Sequence, residues 1–222
     1  GEGVDASDLA LPGAQNALAE AVFAAGKPVV TVVISGRPHA VQAVAEKSRA
    51  LLWAFYPGPW GGQAIAEVLT GAAEPSGCLP VSVPRTTGQL PVYYNARASY
   101  DPMRYRDVPN TPLYPFGFGL HYAAPAVEAV RCDRAVSAAA LRAGETLTVR
   151  CSVRNAAERP AWATVQLYIQ GLSGSVVRRV KELKAFEKVC LAPGETREVA
   201  LQLGLEALGV WNRQMQFDAE PG

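Results

Sequence analysis

The apolar positions change their period partway along the chain, and that change divides it. In residues 13–84, helix-spaced apolar positions alternate with short β-branched runs. GAQNALAEAVFAAGKP carries Leu18, Val22 and Ala25 at i, i+4 and i+7, then stops at Gly26 with Pro28 beyond, which predicts a helix. VVTVVI (29–34) is unbroken and β-branched, the pattern of a strand covered on both faces. HAVQAVAEKS predicts a helix and ALLWAF (50–55) a second buried strand. QAIAEVLTG predicts a helix with Ile65 and Leu69 facing one way, and GCLPVSVP a fourth apolar, strand-like piece. Strand–helix–strand alternation with short connections predicts an α/β fold with a parallel, doubly wound sheet.

Residues 85–122 lose this alternation and are rich in Pro, Gly and Tyr, as in a long ordered excursion that ends a domain. After Ala123 the period becomes two. VEAVRCD, ETLTVRCSVRN, WATVQLYIQ, RRVKELKAFEKVCL and ETREVALQL are strand candidates separated by turns such as AGE and APGE. Evenly spaced short strands predict an antiparallel sandwich. AGETLTVRCSV and PGETREVALQL read as two similar turn-to-strand entries rather than a repeat. The chain halts at DAEPG, where a turn would feed one more strand, so the sandwich is expected to lack its last strand. The domains are expected at 1–122 and 123–222.

Composition narrows the function classes. Apolar residues are 49% and charged residues 18% of the 222, as in a globular protein. With 21 basic and 20 acidic residues, no net field would recruit nucleic acid or an anionic membrane. No apolar run reaches the length of a bilayer span. Cys78, Cys132, Cys151 and Cys190 have no metal-type spacing, and three of them sit in strand-like runs where cysteine acts as a small buried hydrophobe. His39 and His121 stand apart from any acidic or cysteine cluster. No metal, no cofactor and no Ser/His/Asp triad is expected.

The candidate chemistry lies in three loops. In a parallel sheet, ligands bind beyond the carboxyl ends of the strands. SGRP (35–38) and YPGPWGG (56–62) both follow strands and precede helices, which puts Arg37, Tyr56 and Trp60 at such a rim. The competing reading is that the glycines and prolines turn the chain while the aromatics pack. GPWGG could open a helix as a phosphate loop, but GxGxxG, Gly-Lys-Ser/Thr and an acidic ribose partner are all missing. The opening GEGVDASDLALP sets Glu2 and Asp5 in a glycine-lined stretch. Near the other end, Arg178, Arg179, Lys181 and Lys184 in VVRRVKELKAF (176–186) read as a charged edge that discourages strand pairing.

WAFYPGPWGGQAIAEVLTGAAEPSGCLPVSVPRTTGQLPVYYN, followed by PLYPFGFGLHY, resembles the carboxyl half of the second domain of family 3 glycoside hydrolases. The run from ATVQLYIQ to LGVWNRQMQFDAEPG resembles the fibronectin type III-like domain that follows it in many such enzymes. GEGVD resembles the family's EGxDR segment, with Ala6 standing where arginine is usual. The resemblance implies that Glu2 is the general acid/base; Trp60 and Arg37 are the substrate contacts expected from their place at the rim, and Asp5 reads as a loop-shaping acceptor. It implies a retaining β-glycosidase, β-glucosidase-like, acting on a β-linked glucoside or oligosaccharide without a cofactor. In that family the nucleophile is an aspartate on an N-terminal (β/α)8 barrel. That barrel is expected as the partner, and this chain is expected to be inactive without it. Tyr105 and YPFGFG are expected to close a domain junction. A non-catalytic carbohydrate-binding or scaffold module is the alternative. The resemblance leaves the sugar open, and the compartment too: free cysteines lean cytoplasmic, yet family members are also exported.

Overall fold

The computed structural model describes residues 3–97 and 104–220. They form two compact units with the chain passing back and forth between them. The first holds residues 3–73, 79–93 and 104–118; the second holds 74–78, 94–97 and 119–220.

The first unit is a small parallel α/β arrangement. Helix α1 (Gln15–Ala24), strand β1 (Val30–Val33), helix α2 (Gln42–Lys47), strand β2 (Ala50–Trp53) and helix α3 (Gly61–Thr70) follow in order. β1 and β2 pair in parallel from Val30↔Ala50 to Val33↔Trp53. These three helices and two strands are as expected, but their expected burial is not found. Of β1 only Val33 is buried, Val30 and Ile34 are exposed, and α1 has no buried residue, leaving Leu18 and Val22 in solvent. A β-branched run supplies surface to be covered, and the described residues of this unit cover it only in part.

GCLPVSVP does not form a further parallel strand. Val83 makes one antiparallel bridge to Tyr114, with Val83 N donating to Tyr114 O at 2.8 Å and Leu113 N donating to Val83 O at 2.8 Å. Pro80 and Pro84 flank it and offer no N–H to a ladder. The ring of Tyr114 stacks on that of Phe118 at 5.3 Å, and the Tyr105 hydroxyl donates to Gly88 O at 3.0 Å. Within this unit the aromatic excursion therefore packs on itself.

The second unit is an antiparallel sandwich followed by a short hairpin. Strands β3 (Ala126–Cys132), β4 (Leu147–Arg154), β5 (Ala161–Ile169), β6 (Glu182–Leu191) and β7 (Thr196–Leu203) form sheets of order β3-β4-β7 and β5-β6. Period two puts alternate side chains on one face. Cys151 and Val153 of β4 and Val199 and Leu201 of β7 thus meet Ala163 and Val165 of β5 and Val189 and Leu191 of β6 in one core. At its margin Asn155 is fully buried. Its amide donates to Arg159 O at 2.8 Å and Ala192 O at 3.0 Å, while its Oδ1 accepts from Ala157 N at 3.0 Å. Short helices α4 (Ala138–Arg142) and α5 (Leu205–Leu208) and the hairpin β8 (Val210–Trp211) with β9 (Phe217–Asp218) have no counterpart in the apolar pattern.

Two expectations about side chains change. Cys151 is buried, and burial pushes its thiol up from the ordinary value, but Cys132 is exposed because every residue of β3 is exposed. The charged edge before β6 is occupied rather than bare. Val180 N donates to Ala96 O at 2.9 Å, Arg179 Nη1 to Asn95 O at 2.9 Å, and Arg97 bridges Arg179 antiparallel. Arg178 pairs with Glu220 at 2.9 Å, and Lys181 sits 5.1 Å over the Tyr168 ring. Residues from further back also close this unit. Glu74, 6% exposed at its side chain, accepts from Ala123 N at 2.9 Å and pairs with Arg159 at 3.2 Å.

Candidate active site

The carboxyl ends of β1 and β2 present two loops side by side. At the end of β2, Phe55 has φ 50°, a left-handed conformation that is rare for a bulky residue and concentrated at functional sites. The next side chain, Tyr56, lies on the 35–38 turn. A Cβ added to Gly36 would sit 2.4 Å from Tyr56 Cε2, so the close approach requires glycine there. Ser35 organises the turn from within. Its Oγ accepts from Arg37 N at 3.1 Å and its carbonyl from Trp53 Nε1 at 3.2 Å. Tyr56 and Trp60 are 76% and 75% exposed. Trp60 takes the position just before α3, whose first residue, Gly61, closes against the Pro57 ring.

A third loop, residues 3–11, is fastened to the same edge. Glu2 lies outside the described residues. Two residues on, the Val4 carbonyl accepts from Arg37 Nη2 at 2.9 Å. Five further on, Leu9 is 5% exposed and bonded through both backbone groups. Its N–H donates to Thr87 Oγ1 at 2.9 Å, and its carbonyl accepts from Ala40 N at 2.9 Å. His39 Nδ1 lies 3.0 Å from the same carbonyl and carries the proton there, since a carbonyl only accepts. Thr87 donates its own hydroxyl proton to Asp8 Oδ1 at 2.7 Å, and Ala10 N donates to that oxygen at 3.0 Å. These bonds, the Thr87 hydroxyl first, hold the Asp8 carboxyl below its ordinary value.

The sequence expectations are distributed accordingly. Arg37 stands at the rim and meets the main chain of the opening loop. Within that loop Asp8 accepts from Thr87 and Ala10, and both Asp5 and Asp8 are exposed. Asp8, Thr87 and His39 were not anticipated. Their partners lie 30 or more residues away, and only the Asp8–Ala10 turn has a local signal. Among the described residues no cluster of three His, Cys, Asp or Glu side chains is placed to hold a metal.

On the flank of the same unit, α1 and β1 enclose an open groove of about 500 Å³. Leu18, Val22, Phe23, Val30 and Val32 line it with apolar surface, and Ser35 and His39 mark the end near the loops.

Comparison with known proteins gives this arrangement a context. Residues 1–122 match the model for the glycosyl hydrolase family 3 C-terminal domain, and residues 163–222 match that for the fibronectin type III-like domain. The periplasmic β-glucosidase of Salmonella typhimurium is 40% identical over 97% of this chain, and a β-xylosidase of Formosa agariphila is 38% identical over all of it. The β-glucosidase of Listeria innocua, solved with isofagomine, superposes over the whole chain with a TM-score of 0.92 at 39% identity. The chain spans 29%, 31% and 32% of these three proteins respectively.

Proposed function

The chain belongs to glycosyl hydrolase family 3, and from that premise we propose that it supplies the proton-transferring half of a retaining β-glycosidase. Glu2 is the general acid/base. In the first step a carboxylate nucleophile attacks the anomeric carbon while Glu2 donates its proton to the departing glycosidic oxygen. In the second, the Glu2 carboxylate takes a proton from water, which attacks the glycosyl–enzyme bond and frees the sugar. The two acids of such a pair stand about 5–5.5 Å apart. The nucleophile, an aspartate on the family's barrel, belongs to the part of the enzyme that this chain does not span.

The observation that carries the reading is the fastening of residues 4–9 to the carboxyl edge of the parallel strands, at Arg37, His39, Ala40 and Thr87. A loop bearing a reacting acid must be held there, because small misplacements of a catalytic group are costly. Trp60 and Tyr56 supply exposed aromatic faces beside that loop, suited to the apolar face of a sugar ring or aglycone. Arg37 stands with them at the rim. The β-glucosidase and β-xylosidase relatives support a β-linked glucoside or xyloside as substrate. The N-terminal region that such relatives possess covers the bare flank of α1 and β1, whose apolar groove is otherwise open to water.

Two assays test this. The 222-residue chain alone is expected to leave aryl β-glucosides intact, and hydrolysis by it that disappears with Glu2→Gln would overturn the division of labour. In the full-length enzyme, Glu2→Gln is expected to lower kcat/KM on p-nitrophenyl β-glucoside by about 10²–10⁴-fold. The loss should be much smaller when the leaving group is the more acidic 2,4-dinitrophenolate. Equal losses on both substrates would remove Glu2 from the acid/base role.

A further inference from the structure

The contact between Arg37 and Val4 assigns the arginine a different job from touching sugar. Its Nη2 donates to the Val4 carbonyl at 2.9 Å, across 33 residues of sequence, while Ser35 fixes the arginine's own backbone. The far end of the same loop is held by Leu9, Thr87 and Asp8, so the segment is held at Val4 and again at Asp8 and Leu9. Glu2 is two residues before Val4. A chain of two residues spans at most about 7 Å, so wherever the Val4 carbonyl is held, the reach of Glu2 is bounded by it. Without Arg37 the nearest described tether on this side of Glu2 would be at Asp8 and Leu9, six or seven residues along, so the Val4 carbonyl is the closest point at which the described fold holds the acid's chain.

We propose that Arg37 is a positioning residue for proton transfer, its guanidinium holding the Val4 carbonyl so that the Glu2 carboxyl stays within reach of the glycosidic oxygen. This rests on the reading of Glu2 as the acid/base. Arginine suits the task because it stays charged at every working pH and presents donors in a fixed plane. The Thr87–Asp8 bond is the second tether of the same clamp. Tyr56, lying over Gly36, limits the space in which the 35–38 turn can shift.

The test compares Arg37→Met, Arg37→Lys and Glu2→Gln in the full-length enzyme, with kcat/KM measured on p-nitrophenyl and 2,4-dinitrophenyl β-glucosides and the inhibition constant of isofagomine alongside. A displacement of about 1 Å at a reacting group costs about 10²-fold. Arg37→Met is accordingly expected to lose about 30–100-fold on the p-nitrophenyl substrate and less than about 3-fold on the dinitrophenyl one, whose leaving group needs little protonation. Arg37→Lys keeps a charged donor and is expected to recover most of the loss. Isofagomine binding is expected to hold within about 3-fold. In Arg37→Met, amide exchange of the peptide covering Val4 to Asp8 is expected to accelerate. Equal losses on both substrates, or a loss carried by isofagomine binding, would overturn the proposal and make Arg37 a sugar contact. Unchanged exchange at Val4 to Asp8 would overturn it too. Should Glu2→Gln itself lack leaving-group dependence, the acid/base assignment fails instead, which separates the two outcomes.

Discussion

The two units meet the demands of apolar surface in opposite ways. The sandwich turns the inner faces of its two sheets on each other, and Val153, Leu191 and Val199 are almost wholly removed from water. The α/β unit has a parallel strand pair of the same β-branched character, yet Val30, Ile34, Leu18 and Val22 stay in solvent and Val33 alone of β1 is buried. The inner faces of the sandwich thus cover each other, while the described residues of the α/β unit leave an apolar flank exposed alongside the loops of the candidate site. The loops of the candidate site sit on the unit with the bare flank.

That contrast can be broken by experiment. The largest effect is expected at Leu191, fully buried between the sheets. Leu191→Ala should cost about 2–5 kcal/mol, read as a lowered urea midpoint of the sandwich. Next is Asn155→Ala, which strips the Arg159 and Ala192 carbonyls and the Ala157 N–H of this buried partner. It should cost about 1–3 kcal/mol, with faster amide exchange at the 155–159 turn as the local signature.

A third effect compares one acid latch from each unit. In the first, Asp8 accepts from Thr87; in the second, Glu220 accepts from Ser175 and pairs with Arg178. Both carboxyls are held below their ordinary values, Asp8 mainly by the Thr87 hydroxyl and Glu220 mainly by that of Ser175. A depressed folded value means that the contribution is complete above the unfolded values of about 3.9 and 4.3, and is lost as pH falls through the lower folded ones. The protection factors of amides near Ser175 and near Leu9, exchange corrected for its own pH dependence, should therefore stay constant from pH 7 to about 5 and fall only in stronger acid. Protection that begins to fall above about pH 5 would contradict both latches. The smallest effect is expected at Leu18, 64% exposed. Leu18→Ala in the 222-residue chain should change stability by less than about 0.5 kcal/mol. In the full-length enzyme the same change should cost about 2 kcal/mol if the flank is covered there. An equal cost in both settings would show that α1 remains bare.

The sandwich was legible because its information is local. Alternation in 147–153 and 197–203 already assigns Cys151, Val153, Val199, Leu201 and Leu203 to one face, and β4 pairs β7 so that those faces coincide. The helices and strands of the α/β unit were legible for the same reason, since their period survives whether or not a neighbour covers them. Burial was not, because a β-branched run such as VVTVVI states what surface exists and leaves open what lies on it. GCLPVSVP misled because its apolar content hid two prolines, and Cys132 because an exposed first strand carries the same residue types as a buried one. At the candidate site the loops could be placed by strand order, which put Arg37 and Trp60 beyond the carboxyl ends of β1 and β2. The links from Arg37 to Val4 and from Thr87 to Asp8 join positions 33 and 79 residues apart, and no pattern within a strand or helix encodes such pairs.

The second unit borrows two stitches from sequence made long before it. Ala96 supplies the carbonyl that Val180 needs, and Glu74 receives Ala123 and Arg159. A sandwich cut free at the end of residue 122 would begin life with an unpaired run ahead of β6 and with Arg159 robbed of its carboxylate. Anyone transplanting this module onto another enzyme should carry residues 74–78 and 94–97 with it, or redesign the border they close.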